Sequence, residues 1–300
     1  MTAIERHELL AHAIPSRETR DLGDALLLHD ARDRDPFWNR LQAVRWPEDP
    51  AAFDHRLAET LVLFALLGRQ PHIWPSPVHA GPRDLALRLQ GNGFVDIGGG
   101  HLMVMADPHA APPVRPGEPP AGVMLHTIAH PEDVGPGDLD DAGFVLATSF
   151  GAPPGRAPEL ASDLVSTLPD RRVVLVLVRI DGAPAAVAKA TTFGGWTYLS
   201  SIGTLPGYRG RRLAALATRQ AIASAASIEP GRAYLGVFSG NDTAIRLYER
   251  LGFRSVGESP DLLLAALPGP AVEALSGAGT TGALRTPGEA GITGTTGETR

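Results

Sequence analysis

The stretch from Ser200 to Phe253 reads SSIGTLPGYRGRRLAALATRQAIASAASIEPGRAYLGVFSGNDTAIRLYERLGF, and it constrains the fold more than any other part of the chain. In order it holds an apolar strand, an arginine- and glycine-bearing turn, a helix, a second strand and a second helix carrying one tyrosine. A turn that feeds a helix N-terminus presents unpaired backbone N–H groups and the positive end of the helix dipole. That order suits a site for an anion such as a pyrophosphate-bearing cofactor.

The rest of the composition narrows the possibilities. Three hundred residues, 43% of them hydrophobic, allow one large domain or two ordinary ones with a buried core. The absence of cysteine excludes disulfides, thiolate metal sites and a cysteine nucleophile. The N-terminal MTAIERHELLAHAIP has scattered charges and no continuous apolar core, unlike a secretory signal. The longest apolar runs, Leu61 to Leu67 and Val173 to Val178, fall far short of the ~20 residues that cross a bilayer, so a cytoplasmic protein with no membrane partner is expected. A net charge of −6 argues against nucleic acid as a partner.

Taken in order, the chain predicts a polar helix ending near Pro15, strands at Ala25 to His29 and Leu41 to Trp46, and a helix from about Ala51 to Gly68. On that helix Phe53, Leu57, Leu61 and Phe64 share one face. A short strand at His72 to Trp74, a helix at Arg83 to Gln90, a strand within GNGFVDIGGG and a strand at His101 to Ala106 follow. Gly98-Gly99-Gly100 reads as a tight turn, because a strand and not a helix comes after it. The prolines of APPVRPGEPPA mark a linker.

Beyond the linker, Gly122 to Ile128 alternates like a strand, and Asp138 to Phe150 and Ala157 to Leu168 predict helices. Arg172 to Ile180 and Ala183 to Thr192 flank Asp181-Gly182, a strong hairpin signal, with Pro184 expected to lengthen the loop slightly. A second hairpin turn at Gly194-Gly195 leads into Trp196 to Ile202, and a last strand is expected within Asp261 to Leu267. From Pro268 onward the chain is Gly, Thr, Ala and Pro, a composition that predicts disorder.

On these residues the segment from about 120 to 267 resembles the GNAT superfamily of acyl-CoA-dependent N-acyltransferases. The family's loop, Q/R-x-x-G-x-G/A opening a helix, corresponds to Arg209-Gly210-Arg211-Arg212-Leu213-Ala214, with Arg212 where the family has glycine. Its later motif, N-x-x-A-x-x-L-Y-x-x-x-G-F, is complete in Asn241, Ala244, Leu247, Tyr248, Gly252 and Phe253.

The resemblance implies an α+β fold with a mixed α/β sheet and acetyl-CoA as co-substrate, without a metal. It also implies direct attack of a primary amine on the thioester in a ternary complex, through a tetrahedral intermediate that expels the thiolate. Arg209, Gly210, Arg211, Arg212, Leu213 and Ala214 would hold the pyrophosphate, and Ile202, Gly203 and Thr204 the pantetheine and the oxyanion. Asn241 and Ala244 complete the cofactor side. Tyr248 is the expected acid for the thiolate. Many family members carry a carboxylate base on the strand that here runs Trp196 to Thr204, and this strand has none. Ser200 and Ser201 are poor bases, so His126, Glu258, Asp261 or an amine that arrives deprotonated stay open. A non-catalytic acyl-CoA sensor or scaffold is the alternative function, and a longer acyl chain a further one. His126 and His130 have the spacing of a helical metal pair, but Pro131 ends that reading.

The first half echoes the second. LALRLQGNGFVDIGGG lies over AIRLYERLGFRSVGES, matching Gly93 with Gly252 and Phe94 with Phe253, while Leu89 stands where Tyr248 does and Pro82 where Asn241 does. The expected organisation is a degenerate GNAT-like half at 1–110, a linker at 111–120, a complete GNAT domain at 121–267 and a tail at 268–300.

Overall fold

Val173–Ile180 is a run of eight residues, VVLVLVRI, whose alternate side chains enter two different cores. Val174, Val176 and Val178 face one, while Val173, Leu175 and Leu177 face the other. A strand that is apolar on both faces must be covered on both. The structure, a computed structural model, describes residues 3–14, 16–78, 81–105, 107, 119–153 and 155–264. Most of the linker expected at 111–120 and the whole tail expected at 268–300 lie outside these residues.

Seven helices and two mixed sheets make up the described residues. The first sheet runs β1 (Glu18–Asp21), β2 (Leu26–His29), β3 (Arg40–Gln42), β4 (His72–Trp74), then β13 (Leu262–Leu263) and β5 (Val95–Asp96). The second runs β12 (Arg254–Ser259), β6 (Gly100–Met105), β11 (Arg232–Phe238), β10 (Trp196–Thr204), β9 (Ala183–Phe193), β8 (Val173–Ile180) and β7 (Val123–Ile128). Each sheet has one parallel neighbour pair, β3 with β4 and β10 with β11. Parallel neighbours need a crossover, and helices α2 (Pro50–Leu67) and α6 (Leu213–Ile228) provide it. The remaining helices are α1 (Ala3–Ala13), α3 (Leu85–Gly91), α4 (Asp138–Ser149), α5 (Arg156–Thr167) and α7 (Asp242–Arg250).

Two strands are exchanged between the halves. β6 lies early in the chain and sits between β11 and β12, and β13 lies at the end and sits between β4 and β5. The sequence overlay that matches Gly93 with Gly252 also sets β6 against β13, so the exchange is reciprocal. Gly93 and Gly252 both stop a helix with left-handed backbone, at φ of 89° and 98°, and Phe94 and Phe253 are both buried.

Local chemistry explains most boundaries. Asp49 caps α2 by accepting from the Ala52 N–H at 2.9 Å, Pro50 opens it and Gly68 closes it at φ 63°. Its buried face is Phe53, Leu57, Thr60 and Phe64, with Thr60 in place of the expected Leu61. The Thr60 hydroxyl donates to the Arg56 carbonyl at 3.0 Å, which lets it be buried. The β8–β9 turn keeps two residues, Asp181 and Gly182 at φ 49° and 85°, and the effect of Pro184 is taken up by a bulge at Val178/Arg179 instead of a longer loop.

α6 packs against one face of the second sheet through Ala217, Ala221 and Ala225, spaced four apart, and α7 adds Tyr248 and Leu251 to the same core. α4 and α5 cover the opposite face at β8 and β9. α1 covers that face farther along, over Tyr198 and Tyr234.

Candidate active site

β10 and β11 are paired at only three positions, Trp196↔Arg232, Thr197↔Ala233 and Tyr198↔Tyr234. Beyond Tyr198 the strands part, and β10 bulges between Ser200 and Gly203 with Ser201 at φ 52°. Backbone from Ser200 to Thr204 therefore has no partner on the β11 side, at a place where parallel strands would ordinarily bond. Gly203, at the end of the bulge, lies against α4. A Cβ there would stand 2.9 Å from Ser149 Oγ and 3.0 Å from Ser149 Cβ, so only glycine lets α4 come this close. Beside it, Ser149 Oγ and Thr204 Oγ1 are buried without a hydrogen-bond partner among the described residues.

From Thr204 the chain turns through Leu205–Tyr208 into Arg209–Arg212 and α6. Gly210 has φ 80°, and Arg212 itself adopts the left-handed conformation that glycine favours, φ 63° and ψ 16°. An L-residue in this region costs about 1–2 kcal/mol. No side chain caps α6, so the N–H groups of its first turn, at Leu213 and Ala214, have no intrahelical partner. Arg209 donates to the carbonyls of Thr204 and Ser149, each at 3.3 Å, and so ties the loop to the end of β10 and to α4. Arg211 lies over the Tyr208 ring at 5.4 Å. Arg209, Arg211 and Arg212 are exposed and pair with no carboxylate among the described residues. The result is a cationic turn ending in an open helix N-terminus, next to unpaired strand backbone and two orphaned hydroxyls. These groups fit a pyrophosphate with a long amide-bearing arm.

α7 packs on the same core as α6. Asn241 caps α7 by accepting from the Ala244 N–H at 3.1 Å. Ala244 and Ile202 pack against the same core that contains Leu213 and Tyr248. Tyr248 is 6% exposed, its ring meets Phe253 edge-on at 6.0 Å, and burial pushes its hydroxyl above the ordinary tyrosine range.

The other face of the opening has a different character. Tyr198 stacks on Tyr234 with centroids 5.1 Å apart and receives His12 edge-on at 5.0 Å. Glu8 of α1 hydrogen-bonds Tyr198, and burial raises its carboxyl above the usual range against the opposing pull of Arg40. Arg40 is fully buried between Trp74 and Phe37, donates to Gln42 at 3.2 Å and meets His12 Nδ1 at 2.9 Å. Lys189, the only lysine of the chain, lies opposite Ser200 in register, and burial lowers it to about 8.

None of the three bases left open by the sequence adjoins β10. His126 on β7, three strands away, is held by the Asp133 carbonyl at 2.9 Å and by Asp138. Glu258 on β12, three strands away on the other side, receives the Ser239 hydroxyl, and Asp261 pairs with His72. Glu8 had no signal, because the sequence shows a polar helix there and nothing that links it to β10.

A family model described as acetyltransferase (GNAT) family matches residues 146–253. This chain carries a GNAT acetyltransferase domain. The domain holds the bulged strand, the cationic turn and the tyrosine helix, and it makes the chain an acyltransferase. A GCN5-related N-acetyltransferase from Kribbella flavida is similar over 89% of this chain and 98% of its own, at 24% identity and a TM-score of 0.65. One from Sphaerobacter thermophilus aligns over 86% and 84%, at 17% identity and a TM-score of 0.57. A tandem GNAT protein from the clavulanic acid biosynthesis pathway aligns over 83% of each chain, at 16% identity and a TM-score of 0.55. These alignments span both halves and support a tandem arrangement of the fold. No match to a curated protein was found.

Proposed function

We propose that the protein transfers an acetyl group from acetyl-CoA to a primary amine, by direct attack while both are bound. The observation that carries this reading is the parting of β10 from β11 after Tyr198, followed directly by the cationic turn and the uncapped start of α6. Backbone N–H groups of the turn and of α6, with Arg211 and Arg212, hold the pyrophosphate. Arg209 keeps the turn in place.

Bound acetyl-CoA supplies an activated thioester carbonyl. Backbone of Ile202 to Thr204 receives the charge that develops on its oxygen as the amine attacks. Burial keeps the Tyr248 hydroxyl protonated, and the same dry surroundings raise the basicity of a thiolate beside it. Tyr248 passes its proton to the sulfur as the C–S bond breaks and regains one from solvent. The N-terminal half, taken as residues 1–110, has lost the arginines and the tyrosine. It walls the acceptor side.

Acetyl-CoA in the millimolar range raises the melting temperature, and thiol is released when an amine is added. An unchanged melting temperature at that concentration overturns the reading. Cofactor binding without thiol release across a broad amine panel supports an acyl-CoA sensor instead. Among the described residues no helix is long and apolar enough to cross a membrane, and a cytoplasmic location belongs to this proposal.

A further inference from the structure

Tyr198 and Tyr248 stand on opposite faces of the second sheet at the place where it opens. Tyr248 belongs to the core with α6, and Tyr198 to the cluster under α1. Tyr198 is in the last hydrogen-bonded pair of β10 with β11, two residues before the bulge. An acid for the leaving sulfur on one face leaves the other face for the entering amine. There Tyr198 stacks on Tyr234, and the Tyr198 hydroxyl is bonded to Glu8.

Resting on the transfer reading above, we infer that Glu8, from the first helix of the N-terminal half, receives the acceptor amine's proton through the Tyr198 hydroxyl. Tyr198 already directs its proton at the Glu8 carboxylate, which leaves an oxygen lone pair for the amine N–H. As nitrogen bonds to the carbonyl carbon, its proton passes to Tyr198 oxygen and the Tyr198 proton passes to Glu8. The C–S electron pair leaves with sulfur, which takes the Tyr248 proton. Glu8 then returns one proton to solvent and Tyr248 recovers one, so the cycle balances.

Placement distinguishes Glu8 from a mere counter-ion. Glu8 is bonded to the Tyr198 hydroxyl itself, while Arg40, its charge partner, donates to Gln42 and meets His12 and is held between Trp74 and Phe37. The charged and titratable groups acting on or with Glu8 are Arg40 from β3, Tyr198 from β10, Tyr234 from β11 and Glu5 of its own helix, while His12, one turn along that helix, is bonded to Arg40. Burial opposes the charged form of Glu8 and Arg40 favours it, with burial the larger, so the group is a stronger base than an exposed glutamate. The strand of the C-terminal half has no carboxylate because the other half of the chain delivers one.

The test measures thiol release with acetyl-CoA and three probes, spermidine, phenylethylamine and a lysine-containing peptide, from about pH 6 to about pH 9.5. Wild type, Glu8→Gln, Tyr198→Phe, Lys189→Met and the double variant Glu8→Gln/Arg40→Met are compared. Glu8→Gln and Tyr198→Phe are expected to lose roughly 100-fold or more in kcat near neutral pH, with the Kd for acetyl-CoA within about threefold. The rate that remains climbs with the amine's own ionisation. The double variant, which leaves no unpaired buried charge, recovers the melting temperature without recovering rate. Recovery of rate together with stability makes Glu8 a counter-ion and overturns the assignment. So does loss of the acidic limb in Lys189→Met with its retention in Glu8→Gln. A wild type that binds acetyl-CoA but releases no thiol with any probe overturns the transfer reading itself, and the assignment with it.

Discussion

Gly99 crosses Pro260 with no room for a side chain: a Cβ on Gly99 would stand 2.6 Å from Pro260 Cα and 2.2 Å from the Ser259 carbonyl oxygen. This is where the two exchanged strands pass each other. The crossing is pinned by Asp96, whose carboxylate accepts from the N–H groups of Gly98 and Gly99 at 3.0 Å and of Asp261 at 3.1 Å, and by the His72–Asp261 pair.

Gly99→Ala therefore forces backbone against backbone and is expected to cost about 3 kcal/mol, a drop in melting temperature of roughly 6–12 °C. Calorimetry checks it. An unchanged melting temperature would show that the crossing yields easily. Deleting residues 1–110 also removes β6 from between β11 and β12, so that truncation is expected to be insoluble.

At position 212 the backbone conformation, more than the side chain, is expected to matter. Arg212→Gly relieves the left-handed strain and leaves acetyl-CoA affinity within about tenfold of wild type. Arg212→Val, β-branched in a left-handed position, is expected to lose at least 1–2 kcal/mol of stability, by about the cost of that strain, and more affinity than the glycine variant. Titration calorimetry decides between them, and equal affinities would refute the prediction.

Tyr248→Phe is expected to lower kcat by about 100-fold while leaving the Kd for acetyl-CoA unchanged. Because burial keeps the hydroxyl protonated, removing it should not shift any limb of the pH profile below pH 9 or so. A matching loss of cofactor affinity would make it a packing residue.

Acid should loosen α1. His7 is 4% exposed, stacked on Phe193 at 3.9 Å, with Nδ1 2.6 Å from the Tyr234 hydroxyl, and burial lowers its pKa to about 4. The unfolded chain, with an ordinary histidine, binds a proton between about pH 6.5 and 4 that the folded one refuses, so stability falls as pH falls through that window. The expected loss between pH 7 and pH 5 is about 2 kcal/mol from His7 alone, read by urea unfolding, and His7→Phe should flatten it. His12, also lowered by burial, acts in the same direction.

Much of the fold was legible because it rests on local rules. The Asp181-Gly182 turn, the apolar strand β8 and the helix that follows the arginine turn each follow from neighbouring residues. β1 and β12, with the sequences ETRD and RSVGES, gave no strand signal. They lie at sheet edges, where polar residues are tolerated and pairing alone makes the strand.

The stretch from Ser200 to Phe253 by itself determined its own elements: the apolar strand, the cationic turn opening a helix, and the tyrosine on the helix after the next strand. All of these are set by residues close in sequence, whose backbone geometry depends on local hydrogen bonding and sterics. Only the tertiary structure decided how that stretch is completed. It placed β6 beside β11, brought Glu8 to Tyr198 across 190 positions of chain, and brought the Arg40 charge to Glu8. Contacts of that separation are fixed by the packing of one half against the other, and no spacing within either half encodes them.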